Sequence, residues 1–226
     1  MIESSIFEIC EEEQGSDPWL AARHGLVTAS KAHRFANGSG GLSGGAEAIA
    51  VELVMESYCQ MLNRFGEHSG LPCDCDWNEF GGSRDTDRGN EDEPHAIKAF
   101  EEEEKLDVAR VGLCRHRNNG LLGFSPDGLI EKGGEWWAGV EVKCPRKPNH
   151  AKTLLHSEMP DKHAAQVHFS MAVSGIPRWY FVSYFFDRPP FIQLIEADEQ
   201  TDLMVQSIEK FASYLSRVRK AIVGKF

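Results

Sequence analysis

The stretch GFSPDGLIEKGGEWWAGVEVKCP (residues 123–145) decides how the rest of the chain is read. LIEK and EWWAGVEVKC have the composition of strands, and Gly133-Gly134 between them reads as a hairpin turn. Alternation along the second strand sends Val140, Val142 and Cys144 to one face and Glu141 and Lys143 together to the other. Asp127, in the turn PDGL, lies one hairpin away, and antiparallel neighbours sit about 5 Å apart. Two carboxylates and one ammonium therefore converge. Carboxylates so close need a proton or a cation between them. An oxygen-only set with open positions suits Mg2+, with Mn2+ as a substitute, as one or two ions. Such a centre stabilises attacking and leaving oxygens in phosphodiester hydrolysis. In that reading Asp127 and Glu141 hold metal, and Lys143 orients or helps deprotonate the attacking water and offsets phosphate charge. A surface Glu-x-Lys and a Ser-Pro-Asp-Gly turn are each ordinary; their order across one hairpin is the informative feature.

Upstream, GSDPWLAARHG reads as a short helix with Asp17 as N-cap, Pro18 at the first helical position and Gly25 as terminator. LVTASKAHRFA follows, with Thr28 or Ser30 placed to cap another short helix. NGSGGLSGG (37–45) is a glycine loop. AEAIAVELVMESYCQMLNRF (46–65) is a long helix with Ile49, Leu53, Val54, Tyr58, Met61 and Leu62 at helical spacing. A polar loop is expected from Gly66 to Arg88, and EDEPHAIKAFEEE then begins a helix with Pro94 in its first turn. RVGLCRH and GLLGFS read as strands, and residues 161–175 as a helix ended by Gly175. RWYFVSYFF and FIQLIEA form a second hairpin around Pro189 and Pro190, and a helix from about Glu199 carries Leu203, Ile208, Phe211, Leu215, Val218 and Ile222. The order predicts an α/β fold with a mixed central β-sheet flanked by helices. With 226 residues and 41% hydrophobic content, one domain over 1–226 is expected.

The net charge is −11, from 24 Lys and Arg against 35 Asp and Glu. That speaks against a protein that coats DNA nonspecifically, but not against a DNA enzyme whose positive charge is confined to a channel. No apolar run reaches the ~18 residues of a membrane span. The acidic start MIESSIFEICEEEQ lacks the basic and apolar regions of a signal peptide. A cytoplasmic protein with no membrane attachment is the expectation. The six cysteines are scattered without C-x-x-C spacing, which fits free thiols and gives weak support to zinc or an iron–sulfur cluster. His150, His156, His163 and His168 have no zinc spacing either.

Pro126-Asp127 followed by Glu141-Val142-Lys143 resembles the pattern of the PD-(D/E)xK nucleases, whose core is restriction-endonuclease-like. With WLAARHGLVTAS (19–30), RGNEDEPHAIKAFEE (88–102), SPDGL (125–129), VEVKCP (140–145) and HAAQVHFSMAV (163–173), the chain resembles the YqaJ-like viral recombinase family of phage lambda exonuclease type. The resemblance spans most of residues 19–175; beyond it only element pattern is shared. It implies a catalytic core over about 88–196, an N-terminal helical part over about 15–65 that forms a 5′-phosphate pocket, and a C-terminal helix over about 199–222. It implies a 5′→3′ exonuclease on linear double-stranded DNA carrying a 5′-phosphate. One strand is degraded to mononucleotides, leaving a 3′ single strand for a single-strand annealing partner. It implies a ring-shaped homotrimer and a phage- or prophage-encoded protein of the bacterial cytoplasm. Asp127 and Glu141 match the metal-binding acids, the Val142 carbonyl a further ligand, and Lys143 the catalytic lysine. Gln166 matches a glutamine that positions water or phosphate. Glu93, in the G-x-x-x-E-x-x-A pattern from Gly89, matches an acid that holds metal-bound water or Lys143; Glu91 is its competitor. Arg23 and Ser30 match the 5′-phosphate pocket, and a serine at a helix N-terminus with a nearby arginine is independently a phosphate site. Without the resemblance, Ser30 would be a cap, Arg23 a surface charge, Gln166 a polar helix residue and Glu93 a helix N-terminal charge that complements the dipole.

The chain departs from the family pattern in two places. The basic residues that follow TAS have no counterpart where NGSGGLSGG stands, which leaves Arg34 as the nearest substitute. No strand-separating wedge is identifiable, with Phe80 and Leu71 as candidates. Two other functions stay open. One is a restriction-type endonuclease on the same core; its recombination-nuclease variant needs a four-cysteine cluster that the spacing here disfavours. The other is a non-catalytic DNA-end-binding adaptor, against which the intact Asp127, Glu141 and Lys143 and the acidic charge both count. Trp136 or Trp137 is read as a core or subunit contact, and RVRK (217–220) as a complement to a helix C-terminus.

Overall fold

Two four-stranded sheets organise the chain, in a computed structural model that describes residues 4, 6–12, 14–64 and 84–223. In chain order the elements are β1 (Phe7–Ile9), α1 (Asp17–Arg23), β2 (Val27–Thr28), α2 (Ala32–Phe35), α3 (Ala46–Arg64), α4 (Arg84–Glu104), β3 (Cys114–His116), β4 (Leu122–Phe124), β5 (Gly128–Lys132), β6 (Glu135–Lys143), α5 (Lys147–His156), α6 (Ala164–Ser174), β7 (Arg178–Ser183), β8 (Phe191–Glu196) and α7 (Glu199–Val223). Tight 3-10 turns at Ala29–Lys31 and Asp161–His163 lead into α2 and α6.

The sheet that carries the site runs β5-β6-β7-β8, with β6 and β7 parallel and the outer pairs antiparallel. Its two central strands are buried on both faces, as parallel strands require. On one face Ile130, Ala138, Val140, Val142, Tyr180 and Val182 form a core with Ala96, Ile97 and Phe100 of α4. On the other, Leu129 and Trp179 join Val167 and Phe169 of α6 in a larger core that extends to α2, α3 and α7. Gly139 stands opposite Trp179, and a β-carbon there would lie 2.5 Å from the indole ring. Only glycine leaves room for that ring in the middle of the sheet.

The other sheet runs β1-β3-β4-β2. Its strands β2 and β4 are parallel, with Val27 opposite Leu122 and Thr28 opposite Gly123. Both therefore end at the same edge, where β2 leads into Ser30 and β4 into Asp127.

The mixed sheet flanked by helices is as expected, but the strands around Cys114 and Leu122 belong to a separate sheet, because the chain bends at Asp127 between β4 and β5. Ser16, not Asp17, caps α1, its side chain accepting from the Trp19 N–H at 3.3 Å. Neither Thr28 nor Ser30 makes a side-chain cap hydrogen bond. The helix expected to start near Pro94 starts at Arg84, and Pro94 sits in its interior. The polar loop expected over 66–88 is thus helical from 84; its residues 66–83, with Leu71, Cys73, Cys75 and Phe80, lie outside the described residues. Helix α5 was not expected: Arg146, at its N-cap, makes no side-chain cap hydrogen bond. No helix among the described residues is long and apolar enough to cross a membrane.

Candidate active site

The β5–β6 hairpin brings the acids together by register. Gly128 lies opposite Val140. Asp127, just before it, donates its backbone N–H to the Val140 carbonyl at 3.1 Å and accepts the Val142 N–H at Oδ2 at 2.6 Å. Val108 presses on Gly128 so closely that a β-carbon there would meet its Cγ1 at 2.1 Å. The Lys143 carbonyl accepts from Tyr184 N–H of the β7 side at 2.9 Å. Successive carbonyls along a strand point to opposite edges. The Val142 carbonyl therefore points with its N–H toward Asp127.

Glu141 is 2% exposed and lies on the face opposite Val140 and Val142. Its Oε1 accepts from Lys143 Nζ and from Gln166 Nε2 of α6, the latter at 2.6 Å. Glu93, on α4, pairs with Arg110 of the segment between α4 and β3. It is a mid-helix residue, so the reading of Glu93 as a helix N-terminal charge does not hold. Glu91 is exposed. Asp127, Glu141, Lys143 and Gln166 are thus in one place, with Glu93 close enough for its charge to act on Glu141 and Lys143.

Crowded buried acids resist ionisation. Burial raises Asp127, with the Lys143 ammonium opposing. Burial pushes Glu141 up to about 7; Lys143 opposes, and Asp127 and Glu93 add to the rise. Burial and the Asp127 charge bring Glu93 to about 6. For Lys143, burial pulls down, but Glu141, Asp127 and Glu93 together hold its ammonium above the usual lysine value. The Asp127 and Glu141 carboxylates and the Val142 carbonyl are hard oxygen donors of the type that Mg2+ and Mn2+ take, and a divalent cation would relieve the crowding. Among the described residues no group of three His, Cys, Asp or Glu side chains could hold an ion by itself. Remaining positions would fall to backbone, water and substrate.

Several neighbours carried no readable signal. Arg110 belongs to no motif. Gln14 hydrogen-bonds Asp127 from a turn near the N-terminus. The Ser125 Oγ, two residues before Asp127, is buried without a hydrogen-bond partner among the described residues. His163 stacks on Phe181 with centroids 5.3 Å apart, and burial, Lys143 and Lys162 depress it to about 3, so it is neutral beside the lysine. His150 and His168 are structural: each Nδ1 meets a hydroxyl at 2.9 Å, of Ser183 and Thr201 respectively.

Arg23 and Ser30 also come together, with Arg23 Nη2 donating to Ser30 Oγ at 3.2 Å. The guanidinium lies 4.2 Å over the Trp19 ring, and Thr28 Oγ1 is 3.2 Å from Ser30 Oγ. Burial lowers Arg23 to about 10, which leaves it cationic near neutral pH. Arg34 pairs with Glu52 at 3.1 Å, and Lys31 with Glu52 at 2.9 Å and Glu56 at 3.0 Å, so α3 already neutralises both. Thr28, two residues before Ser30, lies opposite Gly123, four residues before Asp127, on parallel strands. Beyond the acids, residues 142–157 carry Lys143, Arg146, Lys147 and Lys152 and no carboxylate, in a chain of net charge −11.

The alkaline exonuclease LHK-Exo from Laribacter hongkongensis has a similar structure, with a TM-score of 0.67 at 24% identity over 93% of this chain and 100% of that one. Its complex with dAMP gives a TM-score of 0.67 at 23% identity over the same shares. A phage-related exonuclease from Haemophilus somnus gives 0.56 at 15% identity over 87% of this chain and 96% of that one. The fold is of the PD-(D/E)xK type. No curated protein matches the sequence. The YqaJ-like viral recombinase domain matches residues 18–177, well over half of the chain, and the chain belongs to that family.

Proposed function

We propose that the chain is a metal-dependent 5′→3′ exonuclease on linear double-stranded DNA, and that it leaves a 3′ single strand for an annealing partner. The observation that carries this reading is the cluster of Asp127, Glu141, Lys143 and Gln166 on adjacent elements, with the Arg23–Ser30 pair at the same end of the fold. The names of the three structural relatives described above, each an exonuclease, support the class of reaction. Asp127, Glu141 and the Val142 carbonyl would hold one or two Mg2+ ions, with Mn2+ as a substitute. When bound, such an ion supplies positive charge to the scissile phosphate and its leaving oxygen. Lys143 orients the attacking water and offsets phosphate charge. Gln166 holds Glu141 in place and reaches the same water or phosphate. Glu93 steadies the water at the Asp127 edge. Arg23 and Ser30, with the Thr28 hydroxyl beside them, grip the 5′-phosphate and set where the strand is cut. The acid-free segment 142–157 is the stretch best suited to meet DNA, while the acidic exterior repels it elsewhere. A homotrimeric ring and a cytoplasmic, phage- or prophage-encoded origin complete the reading, on the strength of the family alone.

Digestion in Mg2+ and in EDTA tests it. The substrates are a linear duplex with a 5′-phosphate on one strand and a covalently closed circle. Loss of the phosphorylated strand alone, with the circle intact and no activity in EDTA, is the expected result. Cutting of the circle would mean an endonuclease on this core. Binding of ends without hydrolysis would mean an adaptor.

A further inference from the structure

We propose that Arg110 is a positioning residue of the site: it holds the Glu93 carboxylate at the Asp127 edge of the β5–β6 hairpin, where Glu93 serves hydrolysis. The inference rests on the nuclease reading above and concerns a residue that none of the sequence motifs contains.

Glu93 needs a holder. Its carboxylate projects from a helix and is repelled by Asp127. An unheld glutamate there would turn to water, yet its side chain is only 17% exposed, and Arg110 is its ion-pair partner. The backbone before Arg110 is fixed on both sides of that pair. Ala109 exchanges two hydrogen bonds with Leu129 of β5, at 2.8 and 2.9 Å. Val108 N–H donates to Glu101 Oε1 of α4 at 2.9 Å, and the Val108 side chain sits against Gly128. Arg110 thus grows from the seam that ties together the two elements carrying Glu93 and Asp127. It is not a core residue: its side chain is 50% exposed. Removing it disturbs little packing. Its charge also acts on Asp127, and non-additivity with Glu93→Gln separates that direct part from the part that passes through Glu93.

The test is a double-mutant cycle on hydrolysis of a 5′-phosphorylated linear duplex, using Arg110→Ala, Glu93→Gln and the pair, with Arg110→Lys as the conservative variant. Dissociation constants for DNA and melting temperatures are measured alongside. Expected is a fall in kcat of about ten-fold for Arg110→Ala, with the dissociation constant changed less than about two-fold. Arg110→Lys recovers part of the loss. The double variant is no slower than Glu93→Gln alone, since two residues acting through one group do not add. Multiplicative losses would overturn the proposal. So would a weaker dissociation constant with a salt slope reduced by about one at unchanged kcat, the mark of a direct phosphate contact. Arg110→Ala as fast as the wild type would overturn the assignment of Arg110 alone. A wild type without any hydrolysis would overturn the nuclease reading itself, and the role of Arg110 with it.

Discussion

Replacing Glu141 by glutamine should abolish hydrolysis and stabilise the metal-free protein. Glu141 is 2% exposed, and its carboxyl is held from 4.5 up to about 7. Ionising it in the fold is therefore costlier than in the unfolded chain by about 3 kcal/mol, to order of magnitude. Between pH 4.5 and 7 the folded protein keeps a proton that the unfolded chain has lost. Stability present below pH 4.5 is thus lost as the pH rises through 7, and the loss is nearly complete at pH 8.5. A glutamine is neutral at every pH and still offers an Oε1 to Lys143 and Gln166, which donate to that atom in the wild type. In EDTA at pH 8.5 the Glu141→Gln variant should be more stable by about 2–3 kcal/mol, which for a chain of this size is roughly 5–10 °C in Tm. At pH 5 most of that advantage should vanish, because the wild-type carboxyl is then protonated in the fold. Mg2+ at pH 8.5 should raise the Tm of the wild type and leave the variant unmoved. Asp127 and Glu93 are raised too, so the wild-type curve bends over a wider range; the difference between the two proteins isolates Glu141. The assay is a thermal melt followed by circular dichroism at the two pH values. A variant that melts below the wild type at pH 8.5 in EDTA would refute the reasoning. The Lys143 pair would then outweigh the burial of the charge, and the site would not be strained without its metal.

Lys143→Ala should slow hydrolysis by about two to three orders of magnitude with an unchanged circular dichroism spectrum, as read in single-turnover digestion. Arg23→Ala should weaken binding to 5′-phosphorylated ends by about 2 kcal/mol, close to thirty-fold, and leave 5′-hydroxyl ends nearly unaffected in a paired titration. Gly139→Ala should destabilise the fold by about 1–3 kcal/mol in urea melts, since its β-carbon would meet the Trp179 ring at 2.5 Å. Burial lowers His150 from 6.5, so the unfolded chain takes up its proton first as the pH falls; stability should drop below pH 6.5, and His150→Gln should flatten that part of a urea-melt series between pH 7 and 5.

How much of this was legible follows from the range of the contacts. Asp127, Glu141 and Lys143 meet across one hairpin, and strand alternation with hairpin spacing is local information. The face that alternation gives Val140 and Val142 is local for the same reason, and it packs on Ala96, Ile97 and Phe100 of α4. Gln166 and Glu93 come from helices packed on the two faces of the sheet, and only the resemblance pointed to them. Arg110 had neither support, because what fixes it is a pair of hydrogen bonds between Ala109 and Leu129, which have no periodic signature. Local rules failed where tertiary contacts outweighed them. Pro94 favours a first helical turn, yet burial of Ala96, Ile97 and Phe100 holds a helix that runs through it. Helix α5 starts at Lys147 without a capping side chain at Arg146, and Pro148 in its first turn is the local mark its beginning leaves in the sequence.

The acidic net charge and the proposed DNA substrate are compatible because the sign of the charge is local. Beside the proposed phosphate pocket, Lys31 and Arg34 are ion-paired with Glu52 and Glu56 of α3, whereas Arg23 feels the Glu56 charge but has Ser30 and Trp19 as its contacts. That leaves Arg23 with donors for an incoming phosphate, and it leaves the acid-free segment after β6 as the other positive stretch near the acids. Three acids and one ammonium under the surface are costly to hold together. The sheet tolerates that cost because Val140, Val142 and the α4 and α6 faces overdetermine where the strand lies. The crowding that makes the metal-free arrangement unfavourable is also what gives a divalent cation and a phosphate something to stabilise.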